Sequence, residues 1–325
     1  MRTIGLGNAL VDVVLRVKDD IVLSEIGIAK GAMELIDKDQ MIRLRSASHD
    51  FSRTVSPGGS VCNTIRAMAN LGASVGYIGK IGSDDLANDY ELALNQAGVD
   101  PNFVKVDGIS GSCTVFVTPD GERTMATFLG PAATLCPEEL NPEVIRNYDC
   151  IYIEGYLIVN EPLFRGVLLL AKEAGLKIAL DLSSFNVVEA NLELLKEVIP
   201  AYVDILFCNE QEAASFTGLA ASEAVAELSQ MVDIAVVTLG KQGALVGHNS
   251  EVVSVSAETV DAIDTTGAGD HFAAGFLYGI SRSASLGLAA KIGTLLAARV
   301  VEVSGACIPE DQWEQIKLKV AGILV

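Results

Sequence analysis

Asp264-Thr265-Thr266-Gly267-Ala268-Gly269-Asp270-His271-Phe272-Ala273-Ala274-Gly275-Phe276 joins a turn rich in hydroxyls and glycine to an apolar run. Residues 272–280 suit a buried helix, and Thr265 and Thr266 are residue types that cap helix starts. Gly267 and Gly269 let the backbone approach a ligand closely. The N–H groups of a first helical turn lack intrahelical acceptors, and the helix dipole adds partial positive charge there. A phosphoryl group therefore fits at 267–269 without a basic side chain. Asp270 stands in the same turn. The dipole favours a carboxylate as a cap, yet beside a bound polyphosphate that charge is repelled. A base that takes the proton of an incoming hydroxyl explains the placement, and such assistance contributes about 10²–10⁴-fold in rate. Cap and base both stand at this point.

Outward from this segment, short β-branched runs alternate with helical patterns. Strands are expected at 3–7, 74–81, 150–153, 177–182, 205–208 and 234–239, and amphipathic helices at 86–97, 163–174 and 222–231. Continuous apolar strands separated by helices predict an α/β fold, a doubly wound and mostly parallel sheet with helices on both faces. No repeat or linker divides the chain, so residues 1–325 read as one domain. Two segments break the alternation, 13–37 and 103–130, each a pair of extended stretches with turns. Together they predict a small β-sheet lid on the α/β core. Polar residues follow several strands, as in Asp181-Leu182-Ser183-Ser184, Asn209-Glu210-Gln211-Glu212 and Thr238-Leu239-Gly240. Ligands of open α/β sheets bind outside the carboxyl ends of the strands; ordinary turns and caps use the same residue types.

Composition narrows the partners. Among 325 residues, 23 Lys and Arg face 42 Asp and Glu, a net charge of −19. Such a surface repels nucleic acid and anionic membrane, so neither is expected as a partner. It also repels a polyanionic ligand unless local donors and a metal ion compensate. The apolar stretch 284–303 is interrupted by Lys291 and Arg299 and reads as a buried helix rather than a membrane span. Arg2-Thr3-Ile4-Gly5 runs straight into a core strand without a leader pattern, and a cytoplasmic protein is expected. The six cysteines are scattered without a C-x-x-C pair and read as reduced, buried side chains. Three widely spaced histidines argue against a histidine-rich metal site.

No Gly-Lys-Ser/Thr follows the glycines of 267–269, so this is not a Walker A loop. Gly5-Leu6-Gly7-Asn8 lacks the third glycine of a dinucleotide fingerprint. Residues 264–270 instead resemble the C-terminal signature of the PfkB/ribokinase-like carbohydrate and nucleoside kinases. Ser56-Pro57-Gly58-Gly59-Ser60-Val61-Cys62-Asn63 resembles their N-terminal signature, in the family's order. Gly5-Leu6-Gly7-Asn8-Ala9-Leu10-Val11-Asp12, Gly79-Lys80-Ile81-Gly82-Ser83-Asp84, Asn209-x-x-Glu212 and Thr238-Leu239-Gly240-Lys241-Gln242-Gly243 fit between and around them. The resemblance covers essentially the whole chain.

That resemblance implies an ATP-dependent kinase that transfers the γ-phosphoryl group to a hydroxymethyl group of a small sugar or nucleoside. Asp270 would be the base, with Gly267, Ala268 and Gly269 forming the anion hole. Asp12, Gly58, Gly59 and Asn63 would line the substrate pocket; Asn63 also reads as a capping residue of the following helix. Asn209 and Glu212 would position Mg²⁺ and the ATP phosphates through water, and Thr238, Gly240 and Gly243 would lie along the nucleotide. Asp264 and the Thr266 carbonyl match a monovalent-cation site, K⁺ in kind. The lid would close over the substrate and exclude water, and its sheet edges make a homodimer plausible. Three positions depart from the ribokinase-like pattern. Ser60 stands where those members carry Lys near the sugar, Gly130-Pro131-Ala132-Ala133 stands where many carry Asn, and His271, read as a helix-surface residue, follows the base. Gly-Gly-Ser is closer to adenosine kinases and their bacterial relatives, which disfavours ribose. A silent binding module of the same fold remains an alternative, since fold alone does not secure function. A nicotinamide-dependent dehydrogenase is a weaker one.

Overall fold

The computed structural model of the chain describes all residues except 19–22, 24–26, 32, 49, 50, 52 and 120–122. The first half contains β1 (Thr3–Leu6), β2 (Leu10–Arg16), β3 (Met33–Leu35), α1 (Lys38–Ala47), β4 (Arg53–Gly58), α2 (Ser60–Asn70) and β5 (Val75–Ile81). It continues through α3 (Asp85–Gln96), β6 (Val99–Lys105), β7 (Gly111–Val117), β8 (Arg123–Phe128) and β9 (Cys150–Glu154). The second half contributes α4 (Glu161–Glu173), β10 (Lys177–Asp181), β11 (Ile205–Asn209), α5 (Glu210–Thr217), α6 (Ala221–Leu228) and β12 (Ile234–Thr238). Then come β13 (Ala244–His248), β14 (Glu251–Val255), α7 (Ala268–Ser281) and α8 (Leu286–Val301).

Among the described residues the larger sheet has nine strands in the order β14-β13-β12-β11-β10-β9-β1-β5-β6. It is parallel from β6 to β12, and β13 and β14 run antiparallel at its edge. β1, β5 and β9 are buried at every residue, as parallel strands covered on both faces must be. Apolar clusters lie on each face, one built with α2, α7 and α8 and the other with α4, α5 and α6. β1 pairs with β5 on one side and β9 on the other, so the order of strands reverses there. That switch point opens a crevice at the carboxyl ends of the strands.

The smaller sheet has the order β3-β8-β7-β2-β4. Leu15 on β2, Phe116 on β7 and Ala126 on β8 pack with Leu44 of α1 on one face. Alternation sends Asp12 to the other face. The segments 13–37 and 103–130 both supply strands here, and so does Arg53–Gly58, which lies outside both. Phe103–Lys105 belongs to β6 of the larger sheet instead. Residues 120–122, part of the turn read at 118–122, lie outside the described residues. No helix among the described residues is long and apolar enough to cross a membrane.

Candidate active site

α7 starts at the switch-point crevice, and its N-cap is Gly267, at φ 77° and ψ 5°. A Cβ at that position would come within 2.7 Å of the Ala306 methyl carbon, so both the left-handed backbone and the space demand glycine. The two threonines do not cap this helix. Thr266 turns its amide and hydroxyl to Asp264 Oδ1, at 3.0 and 2.7 Å, and α7 has no side-chain cap. Asp264 Oδ2 accepts from the Gly305 amide at 2.6 Å and so braces the turn. The first-turn amides therefore have no side-chain acceptor, and the space beside Gly269 is open to 4 Å. This is an anion-binding arrangement.

Asp270 is not a cap either. Its Oδ1 accepts from Ser60 Oγ at 2.7 Å and its Oδ2 from Asn63 Nδ2 at 2.8 Å. Both donors lie on the first turn of α2, three residues apart, so they share one helix face. The two signatures, 210 residues apart at the Ser60–Asp270 contact, thus meet through one carboxylate. Thr64 Oγ1 adds a bond to the Asp270 carbonyl at 3.0 Å. Burial pushes the Asp270 carboxyl above its ordinary range, and the bonds from Asn63 and Ser60 oppose that rise. Asn63 is 7% exposed, and its Oδ1 is buried with no hydrogen-bond partner.

Asp12 reaches the same crevice from the smaller sheet. A Cβ on Gly58 would come within 2.3 Å of the Asp12 carboxyl group, so that group lies directly over Gly58. Gly59 is the N-cap of α2. The register Asp12↔Cys113, Cys113↔Thr127, Thr127↔Leu35 continues one face of the sheet away from Asp12. A mainly apolar cavity of about 490 Å³ opens at the far end of that row, lined by Leu35, Thr127, Leu129 and Pro131 with Lys38 and Asp107 among others.

Sequence reasoning missed Glu154, the last residue of β9, which is 2% exposed. It accepts from the Asn8 amide at 2.9 Å, Asn8 Nδ2 at 2.6 Å and the Val61 amide at 3.3 Å. One carboxylate therefore ties the turn after β1 to the start of α2. Burial pushes its pKa up to about 7, against the bonds from Asn8 and Val61 and with help from the charge of Asp270. The available signal was a carboxylate closing an apolar run. Asp181, at the end of β10, accepts from Tyr152 Oη at 3.2 Å and the Ser183 amide at 2.7 Å. Burial first, then the charges of Glu212 and Asp270, raise it well above an ordinary aspartate.

Asn209 and Glu212 form a capping box at the start of α5. Asn209 Oδ1 accepts from the Glu212 amide at 2.9 Å, and Glu212 accepts from the Asn209 amide at 2.8 Å and Asn209 Nδ2 at 2.7 Å. Burial raises the Glu212 carboxyl. Among the described residues no group of three or more His, Cys, Asp or Glu is arranged to hold a metal ion. The donors here are oxygens, and each carboxylate oxygen keeps lone pairs beyond the cap. That set fits Mg²⁺ arriving with phosphates and retaining its waters. Thr238 pairs with Asn209 across β11 and β12. Gly240 and Gly243 lie in the following turn, where the Leu239 amide donates to the Gly243 carbonyl at 2.7 Å.

His271 is not on the helix surface. It is 2% exposed, because α7 is covered on both flanks by α2 and α8. Its Nδ1 lies 3.0 Å from the Gly267 carbonyl, which sets Nδ1 as the protonated nitrogen. Burial depresses its pKa to about 4, so the ring is neutral at physiological pH.

Comparison with known proteins gives a consistent picture. The family model described as pfkB family carbohydrate kinase matches residues 24–313. A probable sugar kinase from Rhizobium etli superposes with a TM-score of 0.87 at 31% identity, covering 99% of this chain and 98% of that one. Adenosine kinase from Sinorhizobium meliloti gives 0.85 at 33% identity, covering 96% and 98%. Aminoimidazole riboside kinase of Salmonella typhimurium is 29% identical across 70% of this chain and 74% of its own.

Proposed function

The chain belongs to the PfkB family of carbohydrate kinases, phosphotransferases with a hydroxyl acceptor, and we propose that Asp270 is its general base and a nucleoside its acceptor. The observation that carries this reading is the Asp270 carboxylate, fixed by Ser60 and Asn63 beside a helix start whose amides have no side-chain cap. The γ-phosphoryl group of ATP binds those amides at 267–269. The acceptor hydroxyl gives its proton to Asp270 while its oxygen bonds to phosphorus. The bond from phosphorus to the β,γ-bridging oxygen breaks, and ADP leaves. Mg²⁺ supplies charge neutralisation between the β- and γ-phosphates when bound. Asn209 and Glu212 would hold its waters, and Thr238, Gly240 and Gly243 would flank the nucleotide. Asp264 and the Thr266 carbonyl would hold K⁺.

Asp12 engages ribose hydroxyls, with Gly58, Gly59 and Asn63 lining the same pocket. The row from Cys113 to Leu35, with its adjoining apolar cavity, supports a flat base beside that ribose, and this favours a nucleoside over a free sugar. The smaller sheet acts as the lid, and its edge strands β3 and β4 are the surfaces proposed for a homodimer. ADP release measured over nucleosides, pentoses, hexoses and phosphorylated sugars tests the assignment, with nucleosides expected to turn over fastest. Stabilisation by ATP–Mg²⁺ and an acceptor without any ADP release would replace the kinase with a binding module. An Asp270→Ala enzyme that works at the normal rate would exclude the base.

A further inference from the structure

The proposed mechanism needs an acceptor alcohol on the base, and the protein already holds an alcohol there: Ser60 Oγ, 2.7 Å from Asp270 Oδ1. Resting on that mechanism, we propose that Ser60 is a positioning residue that keeps the acceptor's place. Its hydroxyl occupies Oδ1 while no acceptor is bound, excludes water from that oxygen, and yields it to the incoming substrate hydroxyl.

The two donors on the carboxylate are not equivalent. Asn63 is 7% exposed, and its amide is committed to Oδ2 at 2.8 Å. Ser60 is only partly buried at the mouth of α2, and a hydroxyl rotates freely to a new partner. Oδ1 is therefore the oxygen that can exchange while Oδ2 stays held. α2 and α7 pack in the same apolar cluster of the core, which holds Ser60 and Asp270 together. Thr64 Oγ1 ties the two helices by contacting the Ser60 carbonyl at 3.2 Å and the Asp270 carbonyl at 3.0 Å. Water in the place of that hydroxyl would stand on the base, facing the bound nucleotide as a competing nucleophile.

The charge of Asp270 bears on Glu154 and Tyr152 of β9, Asp181 of β10 and Tyr156 just beyond β9. The neighbouring His271 is buried and neutral, and Arg66 of α2 acts on His271. A Ser60 substitution leaves all of these in place and removes one donor to the ionised base.

The test compares wild type, Ser60→Ala, Ser60→Cys and Ser60→Thr, each checked by a melting curve. ADP release is measured without acceptor and with saturating acceptor, and kcat/KM is followed against pH. In Ser60→Ala, acceptor-free ATP hydrolysis should rise about fivefold or more. Its acid limb should move up by about one pH unit, because a bond favouring the ionised form is gone. Ser60→Cys, a weak donor of similar size, should move both readouts the same way, and Ser60→Thr should restore them. Acceptor-free hydrolysis that stays at the wild-type level in both Ala and Cys variants would overturn the proposal and leave the kinase reading intact. Wild-type protein with no acceptor-dependent ADP release would overturn the kinase reading and this proposal together.

Discussion

In the proposed mechanism Asp270 takes a proton near neutral pH, and burial, which raises its carboxyl above the ordinary aspartate range, favours that role. Since the base acts ionised in that mechanism, kcat/KM should fall as pH drops through this raised value. The acid limb of the profile should therefore lie above the usual aspartate range near 3.8. Asp270→Asn should lower kcat by about 10²–10⁴-fold, with little change in melting temperature; steady-state ADP release and calorimetry check both. Asp270 itself stood out because a carboxylate in the first helical turn beside the glycines of 267–269 reads as a cap or as a base. Asn63 was legible only as a pocket residue, and Ser60 only as a departure. The contact that unites them with Asp270 spans 210 residues in the Ser60 case, and no local pattern encodes it. His271 was misread for a related reason. A helix period shows which residues share a face, but not that α7 is covered on more than one side.

At the scale of elements, the start of α7 and the Glu154 bridge set the site. Gly267→Ala puts a Cβ 2.7 Å from Ala306 on a backbone at φ 77°, which should cost about 1–3 kcal/mol of stability and reduce kcat. Denaturant unfolding and ADP release measure the two effects. Glu154 makes stability depend on pH. Its folded value of about 7 lies above its usual 4.5, so the fold favours the protonated form. That contribution is complete below about 4.5 and is lost as pH rises through 7. Glu154→Gln does not titrate, so the gap in melting temperature should move in the variant's favour between pH 5.5 and 8 (about those limits). Most strands and helices were readable from apolar period. β4 was not, because Arg-Thr-Val-Ser-Pro-Gly is polar and contains Pro57. An edge strand tolerates both, since one side of its backbone meets no ladder.

Over the whole molecule, the net charge of −19 opposes an anionic nucleotide. The KM for MgATP should therefore fall as monovalent salt rises from about 10 to 150 mM, because screening shortens that repulsion to about 8 Å. A KM that climbs with salt would mean that local donors at 267–269 dominate the approach. The layered α/β architecture was legible from continuous apolar runs, which only doubly covered parallel strands need. The strand order was not, since nothing in residues 3–6 says that their neighbours are 75–81 and 150–154. That order has a consequence for how the chain is made. β1 and β2 sit inside different sheets and are joined only by Gly7-Asn8-Ala9. β2 is thus completed only when residues 111–117 have been made, and β1 only with 150–154. Until then a nascent chain carries two unsatisfied strand edges, and fragments ending before Cys150 should need chaperone protection to stay soluble.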